Sequence, residues 1–162
     1  MLKPIIGILA VLLISGGLAW AGSQGSVSVP LVPLFAICAS IGFLLHWIVF
    51  VPSFIFQTEH YFDLVGSISY IGTVAVAALM HHLLDLRGLI ICILISIWAA
   101  RLGSFLFMRV KRAGKDRRFD EMKKRFWRYL FTFTLGGAWV FITMAAGLAA
   151  ITSMSPRPLG IW

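Results

Sequence analysis

Acidic residues are scarce in this sequence: Asp and Glu together number 6 of 162 residues, against 14 Lys and Arg. Charged residues of both signs make up 12% of the chain, hydrophobic residues make up 60%, and the mean hydropathy is +0.94. An ordinary soluble domain carries about 25% charged residues. The shortage of charge excludes an ordinary soluble globular protein and indicates a membrane protein.

Cysteine is nearly absent as well. Cys38 and Cys92 both fall inside apolar runs, where a thiol usually packs as a small hydrophobic group. Two such residues provide neither a disulfide framework nor the spacing of a metal site. The four histidines lie at different depths along the apolar runs, so they do not offer two facing axial ligands for a haem. We predict no metal site.

Long apolar runs are what the sequence has in quantity. A helix needs about 20 apolar residues to cross a bilayer, and five runs meet this length. We therefore expect one domain, residues 1–162: an all-α integral membrane protein with a bundle of about five transmembrane helices. Pro52 is expected to kink the second helix or to mark where it leaves the hydrocarbon. The predicted spans are residues 5–21, 31–56, 64–84, 88–108 and 129–151.

The start of the chain also has features of a secretion signal. Lys3 precedes the first apolar run, which ends in Ala19-Trp20-Ala21, a pattern of two small residues around one large residue. We interpret this run as a retained membrane span.

Positive charge is concentrated in the loop at residues 109–128. This loop has ten Lys or Arg and three acidic residues, so it carries +7 of the net charge of +8. Basic loops beside membrane helices are typical of the cytoplasmic face, which argues against a nucleic-acid partner. We expect a multi-pass protein of the bacterial inner (cytoplasmic) membrane, with the N-terminus cytoplasmic and the C-terminus outside. The loop at residues 57–63 then shares the cytoplasmic face.

The basic loop itself allows two interpretations. Its later part can form an amphipathic interfacial helix with Trp127 in lipid and with basic side chains on anionic headgroups. Clustered arginines also suit the phosphates of a cofactor, because each guanidinium can form a forked contact. The residues predicted to contact membrane or lipid are Lys111, Arg112, Lys115, Lys123, Lys124, Arg125 and Trp127.

Arg101 and His46 are polar residues inside predicted spans, at similar depths. An arginine in an apolar span is costly unless it faces protein, water or an anion. One interpretation is a buried polar pocket, open to the cytoplasm, that both side chains line. In the alternative, Arg101 extends to the membrane surface and His46 bonds a backbone carbonyl.

Glu59, His60, Tyr61 and Asp63 cluster in the loop between the second and third spans. A carboxylate, an imidazole and a phenol can form a proton-donating group beside a pocket. The same residues also occur as a wet loop with an aromatic side chain at the interface.

Two segments resemble stretches of one known family. Residues 101–126 read RLGSFLFMRVKRAGKDRRFDEMKKRF. This segment resembles the middle of an uncharacterised family of bacterial membrane proteins, a domain of unknown function grouped with the steroid 5-alpha reductases, and the chain as a whole resembles the N-terminal half of that family. Residues 58–71 read TEHYFDLVGSISYI and are similar to an upstream stretch of the same family. Order and spacing agree, and the resemblance covers about residues 31–130.

The resemblance implies an all-helical membrane fold. Through the wider superfamily, the resemblance also implies an enzyme. Such an enzyme would use NADPH to reduce a carbon-carbon double bond of a sterol, an enone or another lipid-like substrate. Glu59, with Tyr61 or Tyr70, would correspond to the acidic and aromatic group near the substrate. The residues toward the cofactor would be Arg101, Arg117 and Arg118.

Relatives continue beyond this length with an Arg-His-Pro-x-Tyr type segment that contributes to the cofactor site, and no such motif occurs in residues 1–162. We therefore expect no cofactor for the isolated chain. Three hypotheses remain. The chain can be an accessory membrane subunit that packs against lipid and other membrane protein subunits. It can also be an NADPH-dependent reductase completed by a second chain or by oligomerisation, or a channel or transporter subunit.

Overall fold

The computed structural model describes residues 2–82, 84–113 and 119–155. In these ranges the chain forms five α-helices, each long and apolar enough to cross a membrane. The prediction of an all-helical, multi-pass membrane protein is confirmed, and the helix ends lie within a few residues of those predicted. Which end faces the cytoplasm stays a prediction. The helices are α1 (Leu2–Ser23), α2 (Leu34–Ile55), α3 (Phe62–Met80), α4 (Leu86–Ala113) and α5 (Phe126–Ile151).

Local chemistry sets the ends of two helices. Pro52 lies in the last turn of α2, and Gln57 then adopts a φ of +52°, a left-handed conformation typical of the residue that follows a helix. At the start of α4, the Asp85 Oδ1 accepts a hydrogen bond of 2.7 Å from the Gly88 N–H. A carboxylate there satisfies a free N–H of the first turn and complements the helix dipole.

A short hairpin separates α1 from α2. Strand β1 (Ser28–Val29) pairs antiparallel with strand β2 (Val32–Pro33), and β2 occupies residues that were predicted to begin the second span. The preceding residue, Val27, donates its N–H to the Thr152 carbonyl at 2.9 Å, and Ser26 forms a bridge with Ser153. The loop after α1 is therefore bonded to the segment that follows α5.

The core lies between α2, α3 and α5, and the most extensive contact joins α2 to α5. Glycine permits this contact. A Cβ added at Gly137 would lie 2.9 Å from the Cα of Phe43 and 3.1 Å from the Gly42 carbonyl oxygen. The two backbones meet directly, as small residues permit between membrane helices.

The helices α1 and α4 lie at the periphery. In the most apolar stretch of α1, 6% of the residues are buried within the chain, and the share in α4 is 17%. The corresponding shares in α2, α3 and α5 are 39%, 39% and 44%. Both peripheral helices therefore present apolar side chains to lipid or to another protein.

A cluster of aromatic rings packs the end of the bundle that carries the basic residues. Phe62 contacts Phe119 and Phe133 with centroids 5.1 Å apart, and Tyr129 lies 5.0 Å from Phe133. Phe119 and Tyr129 are buried. The cluster holds the segment at residues 119–125 against the loop between α2 and α3, so the two loops predicted to share a face are in contact.

Candidate functional site

A cavity of about 340 Å³ lies between α2, α3, α4 and α5. Ligand sites in proteins occupy about 300–1,000 Å³, so this cavity is of the size that holds a small molecule. It opens at the outer surface of the bundle, where Trp139 is 69% exposed. Its walls are mainly apolar. The polar side chains among its lining residues are His46, Asp63, Ser67, Tyr70 and Thr132.

His46 is the most buried of these side chains, at 1% exposure. Its Nδ1 lies 2.7 Å from the Gly42 carbonyl oxygen, one turn earlier in α2. The ring packs edge-on against Phe62 and Phe133, with centroids 6.0 and 6.4 Å away. Gly136 of α5 leaves room for it, because a Cβ there would lie 2.7 Å from Nε2. The ring is thus fixed in orientation.

Tyr70 and Ser67 line the same cavity from α3. The Tyr70 hydroxyl is hydrogen-bonded to the Thr143 hydroxyl, which donates in turn to the Trp139 carbonyl at 2.7 Å. The Tyr70 proton is therefore directed at Thr143. Within the described residues, the buried Ser67 hydroxyl has no hydrogen-bond partner. Of the Ser67 and Tyr70 hydroxyls, that of Ser67 is therefore the more available to donate a hydrogen bond.

Glu59 is buried in the loop before α3, and its carboxylate lies 2.8 Å from the Lys123 Nζ. Tyr129 donates to the Thr58 carbonyl beside it at 2.7 Å. The Glu59 carboxylate raises the pKa of the Lys123 ammonium because it accepts its hydrogen bond. The Lys123 side chain is 18% exposed and bonds Glu59, so its contact with lipid stays a prediction.

The predicted group of Glu59, Tyr61 and Tyr70 is not assembled around the cavity. Tyr70 lies on its wall, Glu59 is paired with Lys123, and Tyr61 is 53% exposed. Along α3, Tyr70 lies about 12 Å beyond Phe62 at 1.5 Å per residue. Asp63, also on the wall, forms an ion pair of 3.4 Å with Arg109.

Arg101 is separated from His46. It is exposed on the outer surface of α4 and borders a groove of about 530 Å³ together with Trp98, Phe105 and Met108. Within the described residues it forms no hydrogen bond or ion pair. The prediction of one buried pocket containing both residues is therefore wrong, because Arg101 is on the surface of α4 that faces away from the bundle. The alternative for His46, a bond to a backbone carbonyl, is the arrangement found.

The basic residues surround one end of the bundle. Lys111 and Arg112 are exposed at the end of α4, and Lys124 pairs with Glu121 at 2.9 Å. Arg125 and Trp127 border a cleft of about 990 Å³. Three predicted residues lie outside the described residues: Lys115, Arg117 and Arg118.

The sequence contained an unused signal for the cavity. Asp63, Gly66, Ser67 and Tyr70 follow the spacing of one helix face, and all four line the cavity. On an apolar span, a face of polar and small residues at this spacing predicts a surface turned away from lipid. The contribution of Gly136 could not be predicted, because it depends on where the His46 ring lies.

Comparison with known families gives one match. Residues 49–162, more than two thirds of the chain, match the family described as Protein of unknown function (DUF1295). The chain belongs to the DUF1295 family. The DUF1295 match begins inside α2 and includes α3, α4 and α5, so His46 precedes it and Tyr70 and Arg101 lie within it. The expected membership in an uncharacterised family is confirmed.

Comparison of this DUF1295 chain with curated proteins and with solved structures finds no match. The family description assigns no activity. The chemistry of the chain is therefore argued from its own residues.

Proposed function

We propose that the chain is an accessory, non-catalytic membrane subunit whose α4 surface packs against a helix of another membrane protein. The observation that supports this proposal is the exposed Arg101 in the middle of an apolar helix. The partner helix would carry a carboxylate at the same depth.

The position of Arg101 along α4 supports the proposal of a partner. At 1.5 Å per residue, Arg101 lies about 22 Å from Leu86 and about 18 Å from Ala113. Helical side chains leave the backbone toward the helix N-terminus, which for Arg101 is the direction away from the basic end of α4. The guanidinium therefore does not reach the nearer membrane surface easily.

The cost of leaving Arg101 in lipid supports the same conclusion. An arginine at the centre of a membrane helix costs about 2.5–3.5 kcal/mol on insertion scales. A carboxylate from a second helix offsets this cost through a paired hydrogen bond. The groove around Arg101 is lined by Trp98, Phe105 and Met108, and aromatic residues, methionine and arginine are enriched at protein interfaces.

The basic end of the bundle would rest on the membrane surface. Lys3, Arg125 and Arg128 border the same cleft, with Trp127 beside them. Anionic headgroups are attracted to such a site, each basic residue contributing about 1 kcal/mol. We propose that this end lies on the cytoplasmic side of a bacterial inner membrane.

A second candidate function is an NADPH-dependent reductase of a lipid-like double bond. The cavity between α2, α3, α4 and α5 favours the reductase, because this cavity has the size of a ligand site and opens toward lipid. Two contacts oppose it: the Tyr70 proton is directed at Thr143, and Glu59 is bonded to Lys123. A second chain would have to supply much of the cofactor site.

The subunit proposal is tested by extracting the chain from its membrane in mild detergent and measuring its mass by native gel. We expect a complex larger than the chain and its detergent. Arg101→Leu should release the chain from that complex, because the partner carboxylate loses its counter-charge. Arg87→Leu, an exposed position at the other end of α4, is the matched control and should leave the complex intact.

Two results would contradict the subunit proposal: extraction as a single chain, or an intact complex with Arg101→Leu. The reductase is tested separately by NADPH fluorescence with the purified chain. Saturable binding that persists in high salt would favour the reductase over the subunit, because salt screens loose electrostatic contacts.

A further inference from the structure

We propose that the cavity between α2, α3, α4 and α5 binds a lipophilic alcohol whose hydroxyl donates a hydrogen bond to the His46 Nε2. This inference is independent of the subunit proposal, because it concerns a different cavity from the groove at Arg101 and needs no second protein. It rests on the hydrogen-bonding state of His46, on the space before Nε2 and on the apolar remainder of the cavity.

The bond to Gly42 fixes which ring nitrogen carries the proton. A carbonyl oxygen only accepts hydrogen bonds, so the His46 Nδ1 at 2.7 Å must be the donor. The ring is 1% exposed and packed between Phe62 and Phe133, and such burial disfavours a charged imidazolium. A neutral ring with its proton on Nδ1 leaves Nε2 as an acceptor.

That acceptor is unused. Within the part of the chain that the structure describes, Nε2 receives no hydrogen bond. Buried polar atoms are generally hydrogen-bonded, so an unused acceptor on a cavity wall indicates that a ligand or a water molecule donates to it. His46 and Gly136 both line the cavity, and Gly136 has no Cβ, which would lie 2.7 Å from Nε2.

The requirement for a donor selects the ligand class. An alcohol can donate to Nε2, whereas a ketone, an ether or an ester cannot. The unpaired Ser67 hydroxyl lines the same cavity and can contact a second oxygen. The remaining walls include Leu102, Leu106 and Val140, which suit a hydrocarbon body. Exposed Trp139 marks an opening toward lipid, the phase in which such a molecule dissolves.

The charged group on the cavity wall does not replace His46 in this role. Asp63 also accepts hydrogen bonds, but it is paired with Arg109 at 3.4 Å. Asp63 lies in the first turn of α3, whereas His46 lies near the middle of α2. The two acceptors can therefore be distinguished by substitution.

The test compares decanol with its methyl ether, two probes of similar shape of which only the first can donate. The chain in nanodiscs is labelled by a diazirine-bearing alkanol, and each probe competes for labelling of α3 and α5 peptides. We expect decanol to compete about five-fold more strongly, the typical contribution of one hydrogen bond. Equal competition by both probes would overturn the proposal and indicate that Nε2 is satisfied by water only.

Matched variants identify the acceptor. His46→Phe should abolish the preference for decanol while the ether competes as before, and His82→Phe, at an exposed position, should preserve it. Gly136→Ala should also abolish the preference by filling the space before Nε2. Gly66→Ala adds a methyl to the same cavity with no atom within 4 Å, so it should preserve the preference. A preference that survives in His46→Phe would refute the assignment.

A measurement on the unaltered chain covers the case in which these variants fail to fold. With 15N-labelled histidine, the His46 nitrogen resonances should report a proton on Nδ1. Adding decanol should move the Nε2 resonance, and adding the ether should not. An Nε2 resonance that responds to neither probe, or equally to both, would overturn the proposal.

Discussion

Helices α4 and α5 have similar lengths, 28 and 26 residues, but different surroundings. In their most apolar stretches, 17% of the residues of α4 and 44% of those of α5 are buried within the chain. Within these stretches, the less buried one is also the more apolar, with a mean hydropathy of 2.2 against 1.7. In a bilayer the lipid-facing surface must be apolar, whereas helices meet through small and polar residues. High hydropathy therefore does not indicate burial within the protein.

The polar groups of α5 illustrate this difference. Thr134 is fully buried and accepts a hydrogen bond of 3.1 Å from the Trp47 Nε1 of α2. Gly137 meets the α2 backbone at Phe43. By contrast, Arg101 of α4 has no bond within the described residues. Thr134 on α5 thus joins two helices of this chain, whereas Arg101 on α4 joins none of the described ones.

The largest effect is expected from Gly137→Ala, which disrupts the close contact between α5 and α2. The new Cβ would lie 2.9 Å from a backbone atom of α2, so a whole helix must shift. We expect a loss of about 3 kcal/mol in the free energy of unfolding, the upper part of the range for overpacked cores. Unfolding in mixed micelles, followed by circular dichroism, measures this loss.

Gly147→Ala is the matched control on the same helix. Its Cβ would lie 3.5 Å from Ile91 and Ile95 of α4, an ordinary contact. The stability should stay equal or rise slightly, because alanine favours a helix more than glycine. Equal losses of stability in both variants would contradict the expected difference between the two faces of α5.

A smaller loss, about 2 kcal/mol, is expected from Glu59→Gln, since the buried hydrogen bond from Lys123 loses the negative charge of its acceptor. Thermal unfolding in detergent measures it. Glu121→Gln removes a carboxylate that also bonds a lysine, but on the exposed surface. That control should change stability by less than about 0.5 kcal/mol. Losses of equal size would mean that burial does not strengthen the Glu59 pair.

The same pair predicts a dependence on pH. The pKa of Lys123 in the folded chain is raised above its ordinary value of 10.5, because the charged ammonium is stabilised by Glu59. A raised lysine pKa contributes stability that is fully present below 10.5 and is lost as the pH rises through the folded-state value. The stability difference between the native chain and Glu59→Gln should therefore shrink above pH 10.5. A difference that grows in alkali would contradict this sign.

The smallest effect is expected from Ile97→Ala on the exposed surface of α4. Ile97 is 62% exposed, so detergent surrounds it in the folded and the unfolded chain alike. The free energy of unfolding of the isolated chain should change by less than about 0.5 kcal/mol. A loss comparable to that of Gly137→Ala would show that α4 packs within the chain on this side as α5 does.

Much of the fold could be predicted from local sequence. The five apolar runs set the helices because bilayer thickness sets their length, and the shared face of the two loops followed from counting spans. The depths of His46 and Arg101 could also be counted, but their directions could not. Rotation of a helix about its axis depends on packing against its neighbours, so one residue is buried and the other is exposed.

The site was harder to predict than the fold for a related reason. Lys123 looked like a surface residue because its neighbours in sequence are charged, yet it pairs with Glu59 across the loop. That pairing depends on the aromatic cluster around Phe119, which is a contact between distant parts of the chain. The spacing of polar and small residues along one helix, as from Asp63 to Tyr70, predicts the part of the site that lies on that helix.

The bonds between the loop after α1 and the end of α5 bear on the order of assembly during synthesis. Ser26 is made early and its partner Ser153 is made late. The first helix also packs more extensively on α5 than on α2, and Gly7 lies directly against Phe131. The helix α1 is made before the other four, yet its most extensive contacts form with the last of them. Until α5 enters the membrane, the main contacts of α1 within the described residues are those with α2.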